Sequence, residues 1–339
     1  MIRPRREFLK TAAATAIAAT LPAQALNAAR PLGSTRGITK LFDGLPGDLG
    51  FKIEAPAQRG RPGFSVQMNP GKVLFAASSI KTFALCEALR QAERQAETPD
   101  DIDQVLEAKE LHLDASVWSL GSPIFNPPDV TGLVSERTAL EAMILRSDNT
   151  ATDMIFNLVG ADNIRKLIAS AGLMQTWVPD STRIFAGYLF GAKNYMTITW
   201  DELLKLASQG QLVHPFLNDV ETLASTAEDF VTYYSQALQG RFFRHRETLQ
   251  EFRRILTLCD FIYLIPVPLG VSAYAKSGNA DAPGFHARAF AGGMFFADRW
   301  VYFAFLFNWY AKEADDPVTV KRFYAAINEA LTRVRDALS

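Results

Sequence analysis

Residues 270–309 read GVSAYAKSGNADAPGFHARAFAGGMFFADRWVYFAFLFNW. Three apolar and aromatic runs stand in this stretch: GVSAYAKSG (270–278), HARAFAGGMFFA (286–297) and RWVYFAFLFNW (299–309). Short Gly, Pro, Asn and Asp connections separate them, which predicts three strands in sequence. A closing helix is predicted over 317–338. There Val320, Phe323, Ile327, Leu331, Val334 and Leu338 recur every three or four residues and form one apolar face.

Two further strands are expected near the start. LGFKIEAP (49–56) and FSVQMNPG (64–71) flank an RGRPG turn at 59–63, as in a hairpin. The middle, roughly 100–260, has a helical pattern. ADNIRKLIASAG stops at Gly172. ITWDELLKLASQG carries a Thr199 cap, first-turn acids Asp201 and Glu202, and a Gly210 stop. Asp148 or Asn149 can cap another helix. Strands at both ends with helices between them predict an α/β chain of the α+β kind. Five strands join in a mainly antiparallel sheet, the last helix covers one face, and the helical middle makes a second lobe. The expected sheet lobe is 49–77 with 265–339, and the helical lobe is 78–264. A small-molecule site is expected in the cleft between them.

The chain has 339 residues, 48% hydrophobic and 21% charged, with a formal net charge of −1. That composition is globular and lacks the basic footprint of a nucleic-acid binder. MIRPRREFLK, then TAAATAIAATL and PAQA, reads as an export signal cleaved after Ala25. Arg5, Arg6, Phe8, Leu9 and Lys10 match a twin-arginine pattern; an ordinary secretory signal with two arginines is the alternative. A periplasmic or secreted monomer is expected, with the twin-arginine (Tat) export machinery as a partner and residues 26–48 as a linker or N-terminal segment. No stretch is long and apolar enough to span a membrane. Cys86 and Cys259 lie in apolar runs and are expected as buried free thiols. His112, His214, His245 and His286 are scattered, so neither a metal site nor any other cofactor is implied.

Three short motifs bear on chemistry. In FAASSIKTF (75–83), Ser78 and Lys81 stand three apart at a helix start, on one face. A poorly solvated lysine loses its charge more readily and can take a serine proton. A capping serine beside a solvated lysine would leave the same pattern. Ser147-Asp148-Asn149 sits at a break between helices and would also serve as a plain capped turn. Lys276-Ser277-Gly278 lies on a strand, where Gly278 marks close backbone approach.

Together, in this order, the motifs resemble those of the penicillin-recognising serine hydrolases, most closely the class A β-lactamases, with KSG in place of KTG. SVWSLGSPIF (116–125) and SDNTATDM (147–154) add to the likeness, which covers about 49–338. The resemblance implies a β-lactamase/transpeptidase-like fold and a hydrolase acting through an acyl-enzyme, with antibiotic breakdown and resistance as its setting. Ser78 would be the nucleophile, and Lys81 its base, directly or through water. Ser147 would pass the proton on to the leaving nitrogen. Asn149, Lys276, Ser277 and Gly278 would bind substrate. The backbone N–H groups of Ser78 and Asn279 would form the oxyanion hole, such donors being worth about 3–4 kcal/mol each. His286 or Arg288 could hold a substrate carboxylate.

The chain departs from that family in two places. No Asp or Glu occurs from Ser181 to Trp200, where the family carries a glutamate that activates the deacylating water. Asp180 is the nearest acid and the remaining candidate for that base. The excess length falls at 230–255, read as an extra helix packed on the lobe or as a lid. These departures keep three activities open: hydrolysis of β-lactams, a D-alanyl peptidase or esterase activity with little of it, and non-catalytic penicillin sensing.

Overall fold

The computed structural model describes residues 35–58, 60–265 and 267–339. The export signal expected at 1–25 lies outside the described residues. The described residues begin with helix α1 (Thr35–Thr39) and a 3-10 turn, Lys40–Phe42. Ile38 and Phe42 are buried, so this part of the expected 26–48 linker is packed structure. The reason lies in Phe42, whose ring meets Phe51, Phe305 and Phe323.

Strands β1 (Asp48–Ala55) and β2 (Phe64–Met68) form the first hairpin. Short β3 (Leu74–Phe75) leads into a 3-10 turn, Ala77–Ile80, and helix α2 (Lys81–Ala92). The helical lobe follows: α3 (Ile102–Ala108), a small hairpin of β4 (Glu110–Leu113) and β5 (Gly132–Ser135), then α4 (Glu136–Leu145), α5 (Asn149–Val159), α6 (Ala161–Ser170), α7 (Thr182–Leu189) and α8 (Trp200–Ala207). Strand β6 (Ala224–Ser225), which pairs with β3, precedes α9 (Ala227–Ala237), α10 (Arg246–Thr257) and α11 (Phe261–Leu264). The chain closes with β7 (Ser272–Ala282), β8 (Phe285–Phe296), β9 (Arg299–Trp309) and α12 (Pro317–Leu338).

The main sheet has the order β2-β1-β9-β8-β7, and every pairing is antiparallel. The two ends of the chain meet where β1 pairs with β9, Phe51 opposite Phe305. Strand β7 is one edge of the sheet, and it packs against the Ala77–Ile80 turn. Helix α12 covers one face with Phe323, Ile327, Leu331 and Val334, all fully buried. Each such side chain is worth about 1.5–3 kcal/mol when taken out of water. The 230–255 segment is core rather than lid: Phe230, Tyr233, Tyr234 and Phe252 are fully buried in α9 and α10. Cys86 and Cys259 are both buried and free. No described helix is long and apolar enough to cross a membrane.

Candidate active site

The turn that carries Ser78 is held from both sides. Asn308 on β9 bonds Phe75 twice: Phe75 N donates to Asn308 Oδ1 at 2.8 Å, and Asn308 Nδ2 donates to Phe75 O at 3.0 Å. Ala76 N donates to Leu223 O at 2.7 Å. Ala77 then takes a left-handed conformation, φ 49°. A non-glycine residue there costs about 1–3 kcal/mol and persists only where its surroundings impose it. The two serines part company at this point. Ser79 is fully buried and its Oγ donates to Lys276 O at 3.3 Å, whereas Ser78 remains partly open.

Strand β7 lies directly against this turn. A methyl group on Gly278 would stand 2.8 Å from both Ser78 N and Ser79 N. Only a residue without Cβ allows that approach, which agrees with the expectation for Gly278. The Ser78 backbone N–H is thereby brought beside β7, one residue from Asn279, which is itself exposed.

Lys81 occupies the first position of α2 and is fully buried. Its Nζ lies 2.6 Å from Ser147 O, 2.6 Å from Asn149 Oδ1 and 3.2 Å from Ser147 Oγ. The first two atoms can only accept. An ammonium has three N–H bonds, one for each of these oxygens, so Lys81 Nζ is placed to donate to all three. Burial lowers the Lys81 pKa well below its ordinary range, and the neighbouring Lys276 cation adds to this; Asp148 and Asp153 oppose it. Lys276 is also buried and lowered by desolvation, with its Nζ donating to Ser277 O at 3.0 Å.

The Ser147–Asn149 turn is fastened by its middle residue. Asp148 caps α5 through Ala151 N at 2.8 Å and accepts from Ile124 N and Phe125 N, both at 2.9 Å. Asn149 Nδ2 donates to Leu120 O at 2.6 Å. Ser147, like Ala77, is left-handed, φ 58°. Asn149 was expected to bind a substrate amide, yet its side chain already joins Lys81 to Leu120.

Three expected residues are engaged elsewhere. Asp180 pairs with Arg165 Nη2 at 2.6 Å, so the acid considered for deacylation is bound in an ion pair. His286 is fully buried, with Nδ1 2.9 Å from Asp281 and Nε2 3.2 Å from Glu313 O. It cannot meet a substrate carboxylate. Arg288 spends its guanidinium on Asp281, Nη1 to Oδ1 at 3.0 Å and Nη2 to Oδ2 at 2.8 Å.

One group near the cleft escaped the sequence reading. Asp153, on α5, accepts from Thr182 N at 2.6 Å, Thr182 Oγ1 at 2.7 Å and Arg183 N at 2.9 Å. Thr182 Oγ1 also meets Ser119 Oγ at 2.9 Å. Burial pushes Asp153 up to about 6 against these hydrogen bonds. The carboxylate thus seats the start of α7 against α5 and the 115–122 loop. Its spacing of four from Asn149 places both on one helix face, the signal that could have found it.

A model of the beta-lactamase enzyme family matches residues 35–313. No curated protein sequence matches the chain. Among solved structures, a β-lactamase from Sphaerobacter thermophilus superposes with a TM-score of 0.63 at 18% identity, over 89% of this chain and 95% of that one. A β-lactamase from Chitinophaga pinensis gives 0.66 at 14% identity, over 89% and 99%. PBP-A gives 0.64 at 17% identity, over 94% and 100%. The fold is theirs, and with the family match over most of its length the chain belongs to the beta-lactamase enzyme family.

Proposed function

We propose that this β-lactamase-like hydrolase works through an acyl-enzyme at Ser78, on β-lactams or related amides and esters, and releases it slowly. The observation that carries this reading is the fully buried Lys81, three residues from Ser78, with its Nζ 3.2 Å from the Ser147 hydroxyl. Ser78 attacks the carbonyl carbon, and its proton passes to Lys81, directly or through water. Ser147 delivers a proton from Lys81 to the leaving nitrogen or oxygen. The N–H groups of Ser78 and Asn279 receive the developing oxyanion.

Slow release is favoured by the stretch 181–200, which has no carboxylate, and by the commitment of Asp180 to Arg165. This also supports the second reading, a peptidase or esterase with little β-lactamase activity. A variant of PBP-A, one of the structural neighbours, has been captured as an acyl-enzyme with penicillin G. The test is a nitrocefin time course at high enzyme concentration. A burst equal to the enzyme concentration followed by slow turnover is expected. Fast linear turnover without a burst overturns slow release. The RRxFLK segment supports Tat export to the periplasm or beyond, and retention of an Arg5→Lys/Arg6→Lys variant inside the cell is its check; unchanged export contradicts it.

A further inference from the structure

The turn between α10 and α11, residues 258–260, touches two parts of the site at once. Helix α4 ends at Leu145, whose carbonyl is among the last that a helix leaves without an internal partner. Asp260 N donates to Leu145 O at 3.2 Å. Arg146 Nε lies 3.2 Å from Asp260 Oδ2. Asp260 therefore holds both residues that immediately precede Ser147. One position earlier, Cys259 is fully buried, and its Sγ stands 3.8 Å from Ser277 Oγ on β7. Ile262 and Ile265, buried just beyond, keep the turn seated.

Ser147 needs support of this kind. Its left-handed backbone, φ 58°, is one that a non-glycine residue keeps only when its surroundings impose it. On the α5 side, Asp148 and Asn149 are fastened to Ile124, Phe125 and Leu120. On the α4 side, the fastening is Asp260. The Arg146 and Asp260 side chains are 58% and 29% exposed, so their ion pair stands partly in water and adds little to stability. What it fixes is a position: the approach to Ser147, and with it the hydroxyl 3.2 Å from Lys81 Nζ.

We propose that Asp260 is a positioning residue for Ser147, holding the end of α4 so that the Ser147 hydroxyl can protonate the leaving atom. This rests on the acyl-enzyme reading above. As the bond between the acyl carbon and the leaving oxygen or nitrogen breaks, its electron pair stays on the leaving atom. That atom takes the Ser147 proton, and the Lys81 ammonium returns one to Ser147. A leaving group that is stable as an anion needs this proton least, and a basic one needs it most. Loosening the Ser147 turn therefore slows substrates in order of the basicity of their leaving groups.

The experiment uses the 4-nitrophenyl, phenyl and 4-methoxyphenyl esters of phenylacetic acid, which share an acyl group and differ in leaving-group basicity. The readout is kcat/KM, which reports acylation, plotted against the pKa of the phenol. In Asp260→Ala the 4-nitrophenyl ester should stay within about twofold of wild type and the 4-methoxyphenyl ester should fall about tenfold, part of the roughly 100-fold or more that positioned proton transfer contributes. The slope therefore steepens. Arg146→Gln, which removes the same ion pair, should steepen it too. In a Ser147→Ala background, where the slope is already steep, Asp260→Ala should add nothing. Asp260→Ser, read the same way, serves if the Ala variant does not fold. An unchanged slope, an equal loss across all three esters, or a further steepening in Ser147→Ala overturns the inference. A Ser147→Ala slope equal to that of wild type removes the proton donor and the inference with it. Ester hydrolysis that survives Ser78→Ala overturns the underlying acyl-enzyme reading instead, and the inference falls with that reading.

Discussion

Lys81 Nζ stands 2.6 Å from the Ser147 carbonyl and 3.2 Å from the Ser147 hydroxyl, inside a pocket that excludes water from the amine. The ammonium can donate to all three of its oxygen neighbours, and only the deprotonated amine can take the Ser78 proton. Acylation should therefore rise with pH as Lys81 deprotonates, with an inflection below the ordinary lysine range. Lys276 lowers Lys81 by charge repulsion. In Lys276→Gln the inflection moves to higher pH and the rate at neutral pH falls. Rapid-mixing acylation rates from about pH 5 to 10 measure this. An inflection that stays put or moves down contradicts the arrangement.

Gly278 tests the close approach of β7 to the nucleophile turn. In Gly278→Ala the new methyl group would lie 2.8 Å from Ser78 N and Ser79 N, so the turn or the strand must shift. Displacing a reacting group by about 1 Å costs about 100-fold, so kcat/KM falls by at least that order. Circular dichroism should report a retained fold. Wild-type kinetics in this variant would show that the contact does not position Ser78.

A buried carboxylate away from the cleft gives a stability test. Glu136 opens α4, is 3% exposed, and is pushed up to about 7 by burial, with Lys109 opposing. A folded-state pKa above the unfolded one means that the folded protein holds the proton more tightly. Wild-type stability then declines as pH rises from the ordinary glutamate value through about 7. Glu136→Gln lacks this loss. The Tm difference, variant minus wild type, should become more positive from about pH 5 to pH 8. A difference that is flat or falls with pH contradicts the assignment of a buried, costly charge.

The sheet was legible because its strands announce themselves. The aromatic runs of β8 and β9 and the apolar stripe of α12 are local patterns, and the structure places them as expected. Gly278 was legible for a similar reason: a glycine inside a strand needs a neighbour that explains it. The short α1 segment was not legible, because Ile38 and Phe42 acquire their meaning only from Phe51, Phe305 and Phe323, far away in the chain. The same limit governs the site. SxxK, SDN and KSG could be found as spacings, but Asn149 is occupied by Lys81 and Leu120, and Arg288 by Asp281. Partners of that kind are set by packing and register, and no periodicity reports them. Asp281 looked like a turn residue until β7 and β8 brought it beside Arg288.

The proposed chemistry stands or falls on acylation of Ser78, which intact-mass measurement after incubation with penicillin G reads out. Wild type should gain the mass of one penicillin, mapped by peptide mass to the segment that contains Ser78. The adduct should persist because no carboxylate from 181–200 activates water against it. Ser78→Ala should gain nothing, while Ser79→Ala should still form the adduct. An unmodified wild type, or an equal adduct on Ser78→Ala, would contradict the account.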